Sequence, residues 1–170
     1  VNLMWVDRQG RESLALKEPG RYTDPALSPD LRSVAVAIGE KQHATDVWTI
    51  DLTRGTRTRL TTSGAQDFSP RWTPGGRTVV YIAENPTYDL FTMAADGSTP
   101  PEPLVTGVAD KFPHSFSPDG RTLFYAPSPP GRDSGQVWTV TLDKSAPPKV
   151  VMTVAGKVRF PALSPNGKLL

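Results

Sequence analysis

The chain has 170 residues, carries 19 basic and 17 acidic side chains for a net charge of +2, and contains no cysteine. This length, with a hydrophobic fraction of 37%, suits one folded domain with a real core and excludes a disordered chain. The lack of cysteine excludes a disulfide scaffold, a thiol nucleophile and cysteine-ligated metal sites, and the near-neutral charge argues against nucleic-acid binding. No apolar run is long enough to predict a transmembrane helix, and the 18 prolines favour turns over long helices.

The first predicted element along the chain is a two-stranded unit. Residues 3–7 form an apolar strand around Trp5, and residues 13–16 form the outer strand that follows. Residues 11–18 also have a helix-like composition, but Pro19-Gly20 ends that stretch, so a strand is the better interpretation. The chain opens on Val1 with neither an initiator Met nor a signal-peptide pattern, so we expect a mature form, a cut domain or a piece of a longer protein.

A turn motif then recurs along the chain. Its prolines are 45, 44 and 47 residues apart, and a basic residue (Arg32, Arg77, Arg121 or Lys168) stands three positions after each. Proline presets φ, Asp or Asn bonds the backbone and glycine accepts a positive φ, so each copy predicts a hairpin turn. The copies are Leu27-Ser28-Pro29-Asp30, Trp72-Thr73-Pro74-Gly75-Gly76, Phe116-Ser117-Pro118-Asp119-Gly120 and Leu163-Ser164-Pro165-Asn166-Gly167.

A second repeat, an aromatic strand, lies between these turns. Its order is polar, apolar, aromatic, Thr, apolar, and this period of two predicts a strand with one packed face. Because the aromatic residue recurs at an equivalent place, we expect it to pack between repeats rather than to stack on a ligand. The copies are Asp46-Val47-Trp48-Thr49-Ile50, Asp89-Leu90-Phe91-Thr92-Met93 and Gln136-Val137-Trp138-Thr139-Val140.

Each repeat therefore predicts four short antiparallel strands, the size of one propeller blade. The predicted fold class is all-β, a β-propeller of four-stranded antiparallel blades. We expect one propeller segment over residues 1–170, with complete blades at about residues 24–62, 68–106 and 112–154 and half blades at 1–17 and 160–170. The halves raise the total to about four blade equivalents. Such small sheets cannot bury both faces alone, so the blades depend on one another.

The half blades leave ring closure open. They could pair in one composite blade, but the last apolar run stops at Leu169-Leu170, so we expect a partial ring. A partial ring exposes blade faces and strand edges, which favour association. Two copies related by a two-fold axis could complete a ring of about eight blades, so a homodimer is a hypothesis.

The turn and the aromatic strand together resemble a known family. Leu27-Ser28-Pro29-Asp30 and Asp46-Val47-Trp48-Thr49-Ile50-Asp51-Leu52 are similar to the WD-like repeats of TolB-type β-propellers. Such repeats occur in TolB, in propellers of prolyl-oligopeptidase-type peptidases and in extracytoplasmic parts of bacterial Ser/Thr kinases. The resemblance implies a bacterial protein, periplasmic or otherwise extracytoplasmic, whose general role is protein–protein interaction. It is specific for fold and poor for function.

No catalytic or metal-binding motif stands out in the sequence. It has no G-x-S-x-G elbow, no phosphate-binding glycine loop and no dense Asp/Asn calcium loop. The two histidines, His43 and His114, fall in different blades and are interpreted as surface or turn residues. Asp30 and Asp119 belong to predicted hairpin turns. We therefore predict no enzyme activity, no metal and no cofactor.

The candidate binding residues come from propeller geometry. The connection from one blade's outer strand to the next blade's inner strand crosses one face near the axis, and here an aromatic residue with a nearby charge recurs at that point. Aromatic and arginine side chains are common interface hot spots, so we choose this face. The alternative is that these aromatics wedge between blades and only stabilise them. The candidates are Tyr22, Asp24, Asp67, Phe68, Asp110, Phe112, Arg159 and Phe160.

Three functions remain open at this point. The leading hypothesis is a non-catalytic protein-interaction or sensor module that takes a protein or peptide partner, with no nucleic acid and no membrane insertion. The second is the substrate-gating propeller of a larger prolyl-oligopeptidase-type hydrolase. The third is a propeller enzyme with metal chemistry in the central channel, which needs a convergent set of Glu, Asp or Asn that the sequence does not show.

Overall fold

The all-β prediction is confirmed by the computed structural model, which describes residues 1–41, 44–128, 135–156, 158, 161–164 and 166–168. These residues form fourteen strands and no helix, so no helix among them could cross a membrane. The strands are β1 (Met4–Val6), β2 (Glu12–Leu14), β3 (Tyr22–Leu27), β4 (Ser33–Lys41), β5 (Ala44–Asp51), β6 (Arg57–Arg59), β7 (Asp67–Trp72), β8 (Thr78–Glu84), β9 (Tyr88–Ala94), β10 (Glu102–Val105), β11 (Asp110–Phe116), β12 (Thr122–Ser128), β13 (Gln136–Thr141) and β14 (Lys149–Thr153).

The strands form one hairpin and three four-stranded sheets. β1 and β2 make a two-stranded sheet, and the three larger sheets run β3-β4-β5-β6, β7-β8-β9-β10 and β11-β12-β13-β14, with every neighbouring pair antiparallel. We call them the N-terminal hairpin and the first, second and third blades. The predicted propeller of four-stranded blades in a partial, unclosed ring is confirmed by this topology.

The hairpin turns form as their residue types predict. Ser28 Oγ donates to Asp30 Oδ1 at 2.7 Å and accepts the Ser33 backbone N–H at 2.9 Å, so one hydroxyl closes the turn from both sides. Gly120 takes a positive φ of 72° in the third blade. Leu31 takes the equivalent place in the first blade, with a φ of 63°, although leucine rarely adopts this conformation.

The core lies between neighbouring blades rather than within each one. One buried cluster joins the N-terminal hairpin region to the first blade, a second joins the first and second blades, and a third joins the second and third blades. Trp48, Phe91 and Trp138 each pack against one of these clusters, as the repeat predicts. Burial between sheets explains why no blade could fold alone.

Each inner strand carries a bulge. In β3 and β7 the extra residues are Asp24 and Ser69, both with φ near 50°, while β11 has its irregularity between Pro113 and Ser115.

We call the contact between the first and second blades the first seam, and the contact between the second and third blades the second seam. Trp72 Nε1 crosses the first seam to donate to Ala26 O at 2.9 Å.

Candidate binding surface

Two of the predicted residues meet at the second seam, joined by a third aromatic. The ring centroids of Phe68 and Tyr88 are 5.0 Å apart, those of Tyr88 and Phe112 are 6.1 Å apart, and both pairs are edge-to-face. All three side chains are partly buried and pack against the core shared by the second and third blades. We call Phe68, Tyr88 and Phe112 the aromatic cluster. The aromatic cluster therefore packs between the two blades, and part of its surface is exposed to solvent.

Tyr88 was missed at the level of the sequence. It opens β9, just before the aromatic-strand repeat, and the equivalent position at the start of β5 is Thr45. Because no other copy has an aromatic residue there, the repeat gives no signal for it. Its pairing with Phe68 and Phe112 depends on which strands are neighbours in space.

A short loop beside the aromatic cluster presents an apolar side chain to solvent. Val108 lies in the crossing between β10 and β11 and is 88% exposed. The loop is tied to the second blade, since Thr87 Oγ1 donates to Gly107 O at 2.7 Å and the Tyr88 N–H donates to Asp110 Oδ1 at 3.0 Å. The predicted Asp110 is thus a partly buried carboxylate that holds Tyr88 and the loop together.

A buried ion pair is hydrogen-bonded to the same loop. Lys111 Nζ donates to Asp89 Oδ1 at 2.6 Å and to Gly107 O at 2.9 Å, and both charged side chains are 5% exposed. Lys111 was not among the predicted site residues. The pair links β9 to β11 across the second seam.

Tyr22 lies in a different environment from the aromatic cluster. Its hydroxyl donates to Glu18 O at 3.0 Å and accepts from Arg57 Nη2 at 3.0 Å, and its side chain is buried. Tyr22 thus packs between the segment after the N-terminal hairpin and the first blade, as the wedge alternative predicts. Asp24, two residues on, is exposed and occupies the bulge of β3.

Asp67 lies beneath the surface rather than on it. It is 2% exposed, and Ser63 Oγ donates to its Oδ2 at 2.7 Å. Burial raises the pKa of this carboxyl, the hydroxyls of Ser63 and Thr61 partly offset that rise, and the charge of Asp46 adds to it. Asp67 is therefore not an exposed charge that a partner could contact directly.

His114 is not a surface histidine, so that prediction was wrong. It lies on β11 and is partly buried, and burial, followed by the nearby charge of Arg71, lowers its pKa to about 4. The ring is neutral at pH 7. His43, Arg159 and Phe160 lie outside the described residues.

The described residues of the second seam offer a surface for apolar recognition. They contain no group of three His, Cys, Asp or Glu side chains that could hold a metal ion. What the second seam provides is a fixed aromatic cluster, one exposed aliphatic side chain and the partly buried carboxylate of Asp110. An arrangement of this kind can hold an apolar side chain of a partner.

The family of the chain follows from the match of its repeats. The model of the TolB beta propeller domain family, PD40, matches residues 2–170. The chain belongs to this family. It is 26% identical over 145 residues to the uncharacterized protein Atu1656 of Agrobacterium fabrum, covering 85% of this chain and 48% of that protein.

Solved structures share the fold. The crystal structure of TolB from Acinetobacter baumannii superposes with a TM-score of 0.80 at 19% identity, covering 98% of this chain and 41% of that one. A prolyl endopeptidase structure superposes with a TM-score of 0.66 at 17% identity, covering 91% of this chain and 26% of that one. The chain thus spans about half, or less, of the length of the proteins that it matches.

Proposed function

We propose that this TolB-type propeller segment is a non-catalytic module that binds a protein or peptide through the aromatic cluster, Val108 and Asp110. The observation that carries the proposal is the 88% exposure of Val108 on a loop held by two hydrogen bonds beside a fixed aromatic cluster. A loop that is already ordered loses little entropy on binding, so its apolar surface contributes more of its contact energy to affinity.

The chemistry of the surface favours a partner with an apolar anchor. Aromatic rings that are partly buried have few conformations to lose and can flank an aliphatic or aromatic side chain. Backbone groups of the crossing loop can add hydrogen bonds to an extended peptide. The proposed role needs no covalent step, cofactor or metal.

The test is a comparison of two alanine variants on one strand. Phe112 and Phe116 both lie on β11 and both pack against the same core cluster, but Phe116 is at the turn end, away from the aromatic cluster. Peptides are selected from a random display library on the immobilised 170-residue chain, and their affinity is then measured for each variant. We expect Phe112→Ala to weaken the selected peptides at least tenfold and Phe116→Ala to change their affinity less than twofold.

The stability of both variants is measured in the same experiment. Both truncations remove a partly buried ring and should lower the melting temperature by similar amounts. If Phe112→Ala and Phe116→Ala reduce affinity equally, the aromatic cluster has only a structural role and the proposal fails.

The second candidate function is the propeller part of a larger hydrolase of the prolyl-oligopeptidase type. It is supported by the superposition on a prolyl endopeptidase and by the small share of that chain that is covered. The full coding sequence decides between the two: an adjacent α/β-hydrolase domain favours this candidate, whereas a kinase and a membrane helix favour the interaction module.

Self-association and location complete the proposal. Met4, Trp5, Val6 and Leu14 of the N-terminal hairpin are exposed, and an apolar groove of about 150 Å³ lies beside them. We expect this face to favour a homodimer, and a monomer mass at low micromolar concentration by light scattering would contradict that. An extracytoplasmic, periplasmic location is supported by family membership, and fractionation of the source cells tests it.

A further inference from the structure

Two buried carboxyl groups face one another across the first seam. Asp46 on β5 is 4% exposed and Asp67 on β7 is 2% exposed. The hydroxyl of Thr61 lies between them: it accepts the Val47 N–H at 2.9 Å, and its oxygen is 3.4 Å from Asp46 Oδ1. The same hydroxyl also bonds to Asp67, but its single hydrogen can serve one carboxylate at a time.

Among the side chains that the structure describes, one cation contacts this pair of carboxyl groups. Arg59 Nη2 contacts Asp46 Oδ2 at 2.5 Å, and the arginine side chain is 37% exposed. Asp67 accepts from Ser63 instead, and none of the cationic side chains that the structure describes is seen donating to it. The other titratable group that faces Asp67 is Tyr81 on β8, whose pKa is raised by burial and then by the charge of Asp67. The guanidinium of Arg59 therefore contacts Asp46, and Asp67 relies on hydroxyl groups.

The fold does not require an acid at this position. By strand register, Asp67 pairs with Ala83 as Lys111 pairs with Pro127, so Lys111 is its equivalent in the third blade. There the second seam holds a matched pair, Lys111 with Asp89. The first seam thus has two acids where the second has an acid and an amine.

We propose that the first seam is a proton-sensitive joint, which is loosened when Asp67 is ionised beside Asp46 and tightened when Asp67 is protonated. Ionisation of both places like charges in a poorly hydrated contact between blades, and this repulsion acts to separate β5 from β7. Protonation removes it and converts Asp67 into a donor that can bond to a neighbouring oxygen. The joint operates whether or not a partner binds the aromatic cluster.

The direction of the pH dependence follows from linkage. Because the pKa of Asp67 is higher in the folded chain than in the unfolded chain, its protonated form favours folding. Stability from this group is present at low pH and is lost as the pH rises through the folded pKa. Each unit by which the folded pKa exceeds the ordinary value changes the unfolding equilibrium constant up to tenfold.

The joint can be observed directly by NMR on the 170-residue chain. The carboxyl carbon of Asp67 reports its ionisation, and the Trp72 indole N–H, which donates to Ala26 O across the first seam, reports the contact between blades. We expect both signals to titrate together, with a midpoint above the ordinary range for aspartic acid. We also expect the protection of the indole N–H, which is its exchange rate compared with that of a free indole at the same pH, to be several-fold greater on the acidic side. A normal or lowered midpoint for Asp67 overturns the proposal, even if no variant folds.

Two variants supply the matched comparison. Asp67→Asn mimics the protonated state, so its indole N–H should be strongly protected at pH 7, and that protection should not change with pH. Asp96→Asn removes an exposed turn carboxylate whose pKa is lowered by bonds from Ser98, so it should retain the wild-type titration of Trp72. A titration of the indole that persists unchanged in Asp67→Asn contradicts the joint.

Discussion

The two seams of this propeller segment have the same strand register but different charged side chains. The first seam places Asp46 and Asp67 together with a partly exposed arginine, and the second places Lys111 against Asp89 under the aromatic cluster. The strand register is equivalent at the two places, so the difference lies in side chains alone. Repetition therefore fixes the spacing of the blades, while individual substitutions decide how firmly each pair is held.

The seam with the matched, buried ion pair also carries the candidate binding surface. Lys111 holds the crossing loop through Gly107 O, and that loop presents Val108. A rigid second seam would keep the aromatic cluster in place for a partner, whereas the first seam can respond to protons. Three further experiments compare the seams directly.

The largest expected effect comes from breaking the buried ion pair. Lys111→Met leaves Asp89 buried without a cation and should destabilise the chain by about 3–5 kcal/mol. Arg59→Met at the first seam should cost less than half of that, because Arg59 is 37% exposed and water can replace part of its contact with Asp46. Urea denaturation at pH 7 measures both.

A double variant serves as the control for this comparison. Lys111→Met combined with Asp89→Leu removes both charges and should recover most of the lost stability. Equal effects of Lys111→Met and Arg59→Met would show that the seams do not differ in the way proposed.

A smaller effect is expected from the contact between successive turns. A Cβ on Gly120 would lie 3.2 Å from Pro74 of the preceding blade, and one on Gly76 would lie 3.7 Å from Pro29; both glycines have a positive φ. Both Gly→Ala changes carry the strain of that φ, so Gly76→Ala should cost about 1 kcal/mol. Gly120→Ala should cost about 2 kcal/mol because of the added crowding. Thermal unfolding measures the loss of stability in the two variants. A larger loss of stability for Gly76→Ala than for Gly120→Ala would contradict this packing.

The smallest effect concerns acid sensitivity at the second seam. The pKa of His114 is lowered to about 4 by burial and by Arg71, so the unfolded chain binds this proton first as the pH falls below 6.5. Stability from His114 is therefore lost between pH 6.5 and 4, opposite in direction to the contribution of Asp67. The free energy of unfolding is compared between His114→Gln and the wild type at both pH values. Between pH 7.5 and pH 5 this difference should shift in favour of His114→Gln by about 1 kcal/mol, after allowance for the partial exposure of His114. An unchanged difference at the two pH values would contradict this assignment.

Much of the fold follows from local sequence patterns. The turn at Ser28 forms because a hydroxyl and a carboxylate two residues apart can bond each other and the backbone without help from the rest of the chain. The aromatic strand alternates with a period of two, and this decides which side of Trp48 faces a neighbouring blade. The family resemblance rests on the same short segments.

The candidate surface could be predicted only in part. Phe68 and Phe112 recur at equivalent positions, so the repeat identifies them, but it gives no reason to join them through Tyr88. The same register that makes Phe68 and Phe112 equivalent also makes Lys111 the equivalent of Asp67, so an acid in the second blade is replaced by an amine in the third.

The amino-acid sequence by itself determined the strands, the turns and the four-stranded blades, because these depend on neighbours within a few residues. The tertiary structure alone decided the pairing of Lys111 with Asp89, the contact of Asp46 with Asp67 and the burial of His114. Each of these depends on side chains from different strands, which are far apart in the sequence and come together only when neighbouring blades pack. Whether a charge is buried and whether it has a partner are therefore properties of the assembled blades.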